Sequence, residues 1–237
     1  MLRQLRQLRQ LLWIERLFVA VIGVTIALIL AGLHVVPATV DSPGGVGSLL
    51  GDVVMQLALV ALALGGPWSF RRQQRSIGIS AALGLVFAAL YVGVIVLEFQ
   101  GVQTGANILA LFVGVAVIAG VAAAMRTGRW QQAPFAAIWS LLIGTAVWSA
   151  AVLLINYVMW GSHQHYQFWL QDGAVDEFRR SGSHDFGVFL LQDLQGAMFF
   201  HPLLGIVIGA IGGLGGAVAQ GVVALRQLFG PRVRAQG

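Results

Sequence analysis

The sequence contains 237 residues, of which 58% are hydrophobic and 10% charged, and its formal net charge is +5 at pH 7. A water-soluble domain carries about 25% charged residues, so this composition excludes that class and is typical of a membrane protein. The chain has no cysteine, which excludes disulfides, thiol catalysis and cysteine-ligated metal or iron–sulfur centres.

Long apolar runs recur along the chain, and a helix of about 20 such residues crosses the hydrocarbon core of a bilayer. The runs are Leu17–Leu33, Leu49–Gly66, Ile77–Leu97, Ala106–Met125, Phe135–Trp160 and Leu203–Leu228. The first run is long enough if its helix begins in the preceding LLWIER segment. We therefore predict an all-α, polytopic bundle of six transmembrane helices that forms one integral membrane domain over residues 1–237.

The arginines predict the orientation, because cytoplasmic loops retain positive charge. The chain has no lysine, and a cytoplasmic N-terminus places twelve of its fourteen arginines on the cytoplasmic side, leaving only Arg179 and Arg180 outside. We expect a cell-membrane protein with both termini in the cytoplasm. Its basic residues lie in short clusters at the ends of spans, which predicts contact with the lipid bilayer and no nucleic-acid partner.

Two segments outside the apolar runs have amphipathic character. Residues 1–16 repeat LRQ three times and predict a basic interfacial helix that leads into the first span. Residues 161–198 contain YQFWLQDGAVDEFRR and HDFGVFLLQDLQG, which predict amphipathic helices in an outer loop between the fifth and sixth spans. The loop either shields the helix ends or closes over a ligand.

The last run contains GIVIGAIGGLGGAVAQG, with seven glycines in seventeen residues. Small residues let transmembrane helices approach closely, and here they form two stripes. The main stripe is Gly205, Gly209, Gly213, Ala217 and Gly221, and the second contains Gly212 and Gly216. We expect the sixth span to be the most tightly enclosed helix. Its neighbour is either another helix of the bundle, a second copy of the chain or another subunit.

Polar residues near the outer ends of the spans are the candidate ligand-binding groups, because ionisable residues at membrane depth usually have a partner or a function. They are His34, Asp52, Glu98, Asn156, His163, His165 and His201. One hypothesis is a metal site in which His163, His165 and His201 join Asp52 or Glu98. Another is haem held by His34 and His201. The competing interpretation is that these histidines are tolerated at an interface, and that Ser48 caps a helix with Asp52 in its first turns.

The sequence contains no complete catalytic motif, which favours a non-enzymatic function. A basic lead-in, six spans, cytoplasmic termini and a folded outer loop resemble the layout of permease subunits of ABC-type exporters. Three functions remain open: a transport-related protein or subunit of a membrane complex, an exporter permease, and a metal- or haem-dependent membrane enzyme.

Overall fold

A computed structural model describes residues 2–42, 45–65, 74–102, 104 and 107–229, with side chains at 13–14, 16–42, 45–62, 77–102, 104 and 107–222. The described residues form eight α-helices and one short 3₁₀ turn, and no strand occurs among them. Several arginines that predict the orientation lie outside the described side chains: Arg3, Arg6, Arg9, Arg71, Arg72, Arg75, Arg226, Arg232 and Arg234.

Six of the helices are long and apolar enough to cross a membrane, which confirms the predicted fold class. In chain order the helices are α1 Leu2–Val35, α2 Gly45–Gly65, α3 Gln74–Phe99, α4 Ile108–Thr127, α5 Gln132–Met159, α6 His163–Gln171, α7 Ala174–Ser181 and α8 Phe186–Phe229. The short helices α6 and α7 lie between the last two spans, and we call the end of the bundle that carries them the cap side.

Helix ends follow the local sequence. Asn107 caps α4 with its side-chain oxygen, which accepts a hydrogen bond from the Ala110 amide at 3.0 Å. Gly128 ends the same helix with φ 68°, a left-handed conformation that favours glycine. At the N-terminus the expected lead-in is not a separate helix, because α1 runs without interruption from Leu2 into the first span.

The central helix of the bundle is α5. It packs against α1, α3, α4 and α8, and 61% of an apolar 18-residue stretch of α5 is buried, against 39% of such a stretch in α8. The expectation that the last span is the most enclosed helix is therefore wrong. The small residues of α8 occupy only part of its circumference, and its other side exposes Val207, Ile211, Leu214 and Val218.

The predicted outer loop is shorter than 161–198. The stretch YQFWLQDGAVDEFRR forms α6 and α7, as expected, but HDFGVFLLQDLQG contributes the first turns of α8. No proline interrupts the chain between Phe186 and Pro202, and Pro202 itself lies inside α8. Neighbouring helices can compensate for the hydrogen bond that a proline removes from a transmembrane helix.

Candidate functional site: a buried polar cluster

Asp52 and Gln56 lie on the buried face of α2. They follow Leu49 and precede Leu59 at spacings of three and four residues, which places all four on one side of a helix. This face packs mainly against α1 and α8. Only 3% of Asp52 and 1% of Gln56 is exposed. An acid and an amide therefore point into the bundle.

The interpretation of Asp52 as a helix-start residue is wrong. Helix α2 begins at Gly45, so Ser48 lies within it and Asp52 is about two turns inside. An ionised carboxylate this far from water is costly unless it is paired. Among the residues that the structure describes, Oδ2 of Asp52 has no hydrogen-bond partner.

Two further groups complete what we call the polar cluster: Asp52, Gln56, Tyr157 and Gln195. Tyr157, on α5, is close enough to Asp52 for direct electrostatic interaction. Gln195 is buried on α8, a helix that packs against α2. The Tyr157 hydroxyl, Oε1 of Gln56 and both amide atoms of Gln195 also lack partners among the described side chains and backbone.

Gly32 lets the phenol of Tyr157 approach α1. A Cβ placed on Gly32 would lie 2.7 Å from the Tyr157 hydroxyl oxygen, closer than a real side chain tolerates. A buried polar group without a partner typically costs about 1–3 kcal/mol. Several such groups in neighbouring helices are unusual in a folded protein and call for an explanation.

Asn156 faces the cap rather than a second spanning helix. Its Nδ2 donates to the Val152 carbonyl in its own helix at 2.9 Å. Its Oδ1 lies 3.2 Å from Nε2 of His165 on α6, and Trp169 Nε1 donates to the same imidazole nitrogen at 3.1 Å. A neutral ring makes only one of these two bonds at a time. A protonated Nε2 donates to Asn156, whereas an unprotonated Nε2 accepts from Trp169. Burial lowers the pKa of His165 below its usual value, which keeps the ring neutral.

His201 lies in an aromatic enclosure on α8, directly before Pro202. Its Nδ1 lies 2.6 Å from the Ala197 carbonyl oxygen, so Nδ1 carries the proton and donates. Nε2 is then the acceptor for the Tyr91 hydroxyl at 3.0 Å. The ring also lies 4.4 Å from that of Trp148 between centroids. Both imidazole nitrogens are thus occupied by protein groups.

The structure does not bring the predicted metal ligands together. His34 and His163 are exposed, whereas His165 and His201 are held by the separate contacts described above. Over the described side chains, no three His, Asp or Glu residues are placed to hold a metal ion. The hypothesis of a shared site for His163, His165 and His201 with Asp52 or Glu98 is not supported by this geometry, and neither is axial ligation of haem by the fully engaged His201.

Glu98 belongs to an acidic surface on the cap side. Its Oε1 accepts a hydrogen bond from Thr104 at 2.7 Å. The pKa of Asp172, at the end of α6, is raised by burial and by the negative charges of Glu98 and Glu177. These acids therefore lie close enough to repel one another.

The glycines of α8 face two different helices. Gly205, Gly209 and Gly213 lie against Leu141, Ile138 and Pro134 of α5, and Gly212 lies against Ala116 of α4. Gly216 lies between the two helices, against Ala133 of α5 and Gly120 of α4. A Cβ on Gly209 would lie 2.6 Å from the Cα of Ile138. We call these five residues the glycine interface. Ala217 is half-buried, and a Cβ on Gly221 would meet no atom within 4 Å.

Sequence reasoning named Asp52 but missed Tyr157, which interacts with it, and Gln195, a further buried polar residue of the bundle. One available signal was the presence of a glutamine in the apolar surroundings of residues 186–204. Tyr157 gave no signal, since tyrosine is common near membrane boundaries. No protein-family model, curated protein or solved structure matches the chain.

Proposed function

We propose that this multi-pass membrane protein is a transport protein in which a small monovalent cation, a proton or a metal cation such as Na⁺, binds at Asp52. The observation that carries the proposal is the buried carboxylate oxygen of Asp52, for which the described part of the chain offers no hydrogen-bond partner. Acids inside membrane spans typically mark ion pathways and proton relays.

The other members of the polar cluster suit a cation. Gln56 and Gln195 offer amide oxygens and Tyr157 offers a hydroxyl oxygen, and no described residue forms a hydrogen bond with these atoms. Hard cations prefer carboxylate and carbonyl oxygens. One carboxylate beside neutral oxygens neutralises a single positive charge, which favours a monovalent over a divalent ion.

The helices that hold the cluster also suit a path through the bundle. Asp52 and Gln56 lie one turn apart on α2, so a bound ion has successive polar groups along the membrane normal. Helix α2, which carries Asp52 and Gln56, is one of the least buried spans, with 28% of Gly45–Leu62 buried. Loosely packed elements are the ones that move most readily in a conformational change.

The proposal is tested by cation flux into liposomes that contain the purified full-length chain. Proton entry is followed with a trapped pH-sensitive dye, and sodium entry with radioactive Na⁺, under an imposed membrane potential. We expect flux of one ion above that of protein-free liposomes. Asp52→Asn abolishes it by removing the charge while keeping the shape, and Asp41→Asn, at an exposed position between α1 and α2, retains it.

Two results would contradict the proposal. One is the absence of proton and sodium flux above the protein-free background. The other is equal flux through the wild type and Asp52→Asn, which would place any ion path elsewhere in the bundle.

A further inference from the structure

A groove of about 550 Å³ lies on the cap side between the ends of α3 and α5 and the helix α6. Val96, Phe99, Ile155 and Met159 form its apolar part, and all four belong to spans. Its volume falls within the roughly 300–1,000 Å³ of sites that bind small molecules. The groove is separate from the polar cluster, with which it shares no residue.

The lining changes character along the membrane normal. Val96 and Ile155 lie about one turn before the ends of their helices, so they are the deeper residues. Gln164 and Gln167 lie on α6, beyond the spans, and supply amide groups at the outer rim. The groove is therefore apolar towards the bilayer and polar towards the cap, which is the polarity of a lipid molecule in a membrane.

The charges around the groove restrict the lipid. None of its described lining residues is charged. Glu98, which precedes Phe99, and Asp172 at the end of α6 place negative charge beside it. An anionic headgroup is repelled by these acids, whereas the ammonium of a zwitterionic headgroup is attracted to them.

We propose that the groove between α3, α5 and α6 binds one zwitterionic diacyl lipid, with an acyl chain along Ile155 and Met159 and the headgroup at Gln164 and Gln167. An acyl chain is buried in the groove and in the surrounding bilayer alike, so apolar contacts alone give little preference for the groove. The amides and the nearby acids therefore supply the preference for this site. This inference does not depend on the proposed cation site.

Native mass spectrometry of the full-length protein tests the proposal during titration with phosphatidylethanolamine or phosphatidylglycerol of the same acyl chains. We expect one phosphatidylethanolamine to bind more tightly than phosphatidylglycerol. Met159→Trp fills the groove and removes this bound lipid. Val158→Trp is the matched control, because Val158 is 74% exposed on a neighbouring face of α5 and does not line the groove.

A second variant tests the headgroup position without filling the groove. Gln164 is exposed, so Gln164→Arg should leave the fold unchanged. An arginine there attracts the net negative headgroup of phosphatidylglycerol and repels the ammonium of phosphatidylethanolamine, and we expect the relative affinity to move by roughly tenfold towards phosphatidylglycerol.

Three results would overturn the proposal: equal affinity of the wild type for both lipids, equal lipid retention by the two tryptophan variants, and a dimer that Met159→Trp dissociates. The last would assign the groove to a second copy of the chain. Circular dichroism and thermal unfolding check that the variants fold. If Met159→Trp does not fold, the shift in lipid preference of Gln164→Arg decides alone.

Discussion

The two halves of α8, divided by Pro202, use opposite means of packing. After Pro202, the glycine interface brings the α8 backbone directly against Ile138 and Pro134 of α5. Before Pro202, Leu191 and Met198 are fully buried with their large side chains, and the buried amide of Gln195 has no partner within the described ranges. One half is close-packed through backbone contact, and the other carries an unpaired polar group.

Within α8, the half after Pro202 contributes to stability, and the half before it carries a residue of the proposed cation site. In lipid, apolar helices gain little from the hydrophobic effect when they associate, so close van der Waals contact has to hold them together. The glycine interface supplies that contact. The polar cluster lowers stability, and proteins retain such costs mainly where function requires them.

The largest effect is expected at the glycine interface. Gly209→Leu forces a side chain against the backbone of Ile138, whose Cα would lie 2.6 Å from the new Cβ. Overpacking of this kind costs about 1–3 kcal/mol, and we expect the upper end because backbone atoms cannot rotate away. Thermal unfolding in detergent measures the loss.

Val207→Leu is the matched control for Gly209→Leu, since Val207 is 56% exposed on the same helix. We expect it to change stability by less than about 0.5 kcal/mol. Equal tolerance of both leucines would show that α8 does not rely on close contact with α5.

A smaller effect of opposite sign is expected at the polar cluster. Asp52→Leu removes the unpaired carboxylate and leaves an apolar side chain in the bundle, and we expect it to stabilise the protein by about 1 kcal/mol. The same thermal unfolding assay measures the gain. Asp41→Leu, at an exposed position, is the control and should have little effect.

A clear loss of stability in Asp52→Leu would contradict the comparison, because it would mean that Asp52 has a stabilising partner. The sign of the change in the free energy of unfolding therefore distinguishes the two regions. We expect a leucine at the glycine interface to destabilise the protein and a leucine at Asp52 to stabilise it.

The smallest effect is a pH dependence of the cap. Burial lowers the pKa of His165 in the folded protein, so the unfolded chain takes up a proton first as the pH falls below about 6.5. The contribution of His165 to stability is complete above that pH and is lost as the pH decreases. We expect the unfolding temperature to fall over this range.

His165→Gln should flatten the pH profile, because glutamine does not titrate and still accepts a hydrogen bond from Trp169. His163→Gln, at an exposed position of the same helix, should leave the profile unchanged. An unchanged slope in His165→Gln would contradict the assignment. The raised pKa of Asp172 acts with the opposite sign, because that carboxyl takes up its proton more readily in the folded protein.

Much of the architecture follows from the sequence alone, because each span must satisfy its own backbone hydrogen bonds and present apolar side chains to lipid. The apolar run Ile77–Leu97 predicts α3 to within a few residues, and Ala106–Met125 does the same for α4. The spacing of Gly209 and Gly213 predicts a face of small residues in the same way. The cytoplasmic location of the termini stays a prediction.

Only the tertiary structure decides which helices meet. Glycine spacing does not say that Gly209 faces α5 while Gly212 faces α4, nor that α5 rather than the last span is the central helix. Asp52 lies within electrostatic reach of Tyr157, more than a hundred residues away in sequence, through the packing of separate helices. Sequence periodicity predicts the faces of a single helix, whereas a binding site is formed by side chains from several helices. The physical reason is that local hydrogen bonding and lipid exposure fix each span, while shape complementarity between spans fixes their arrangement.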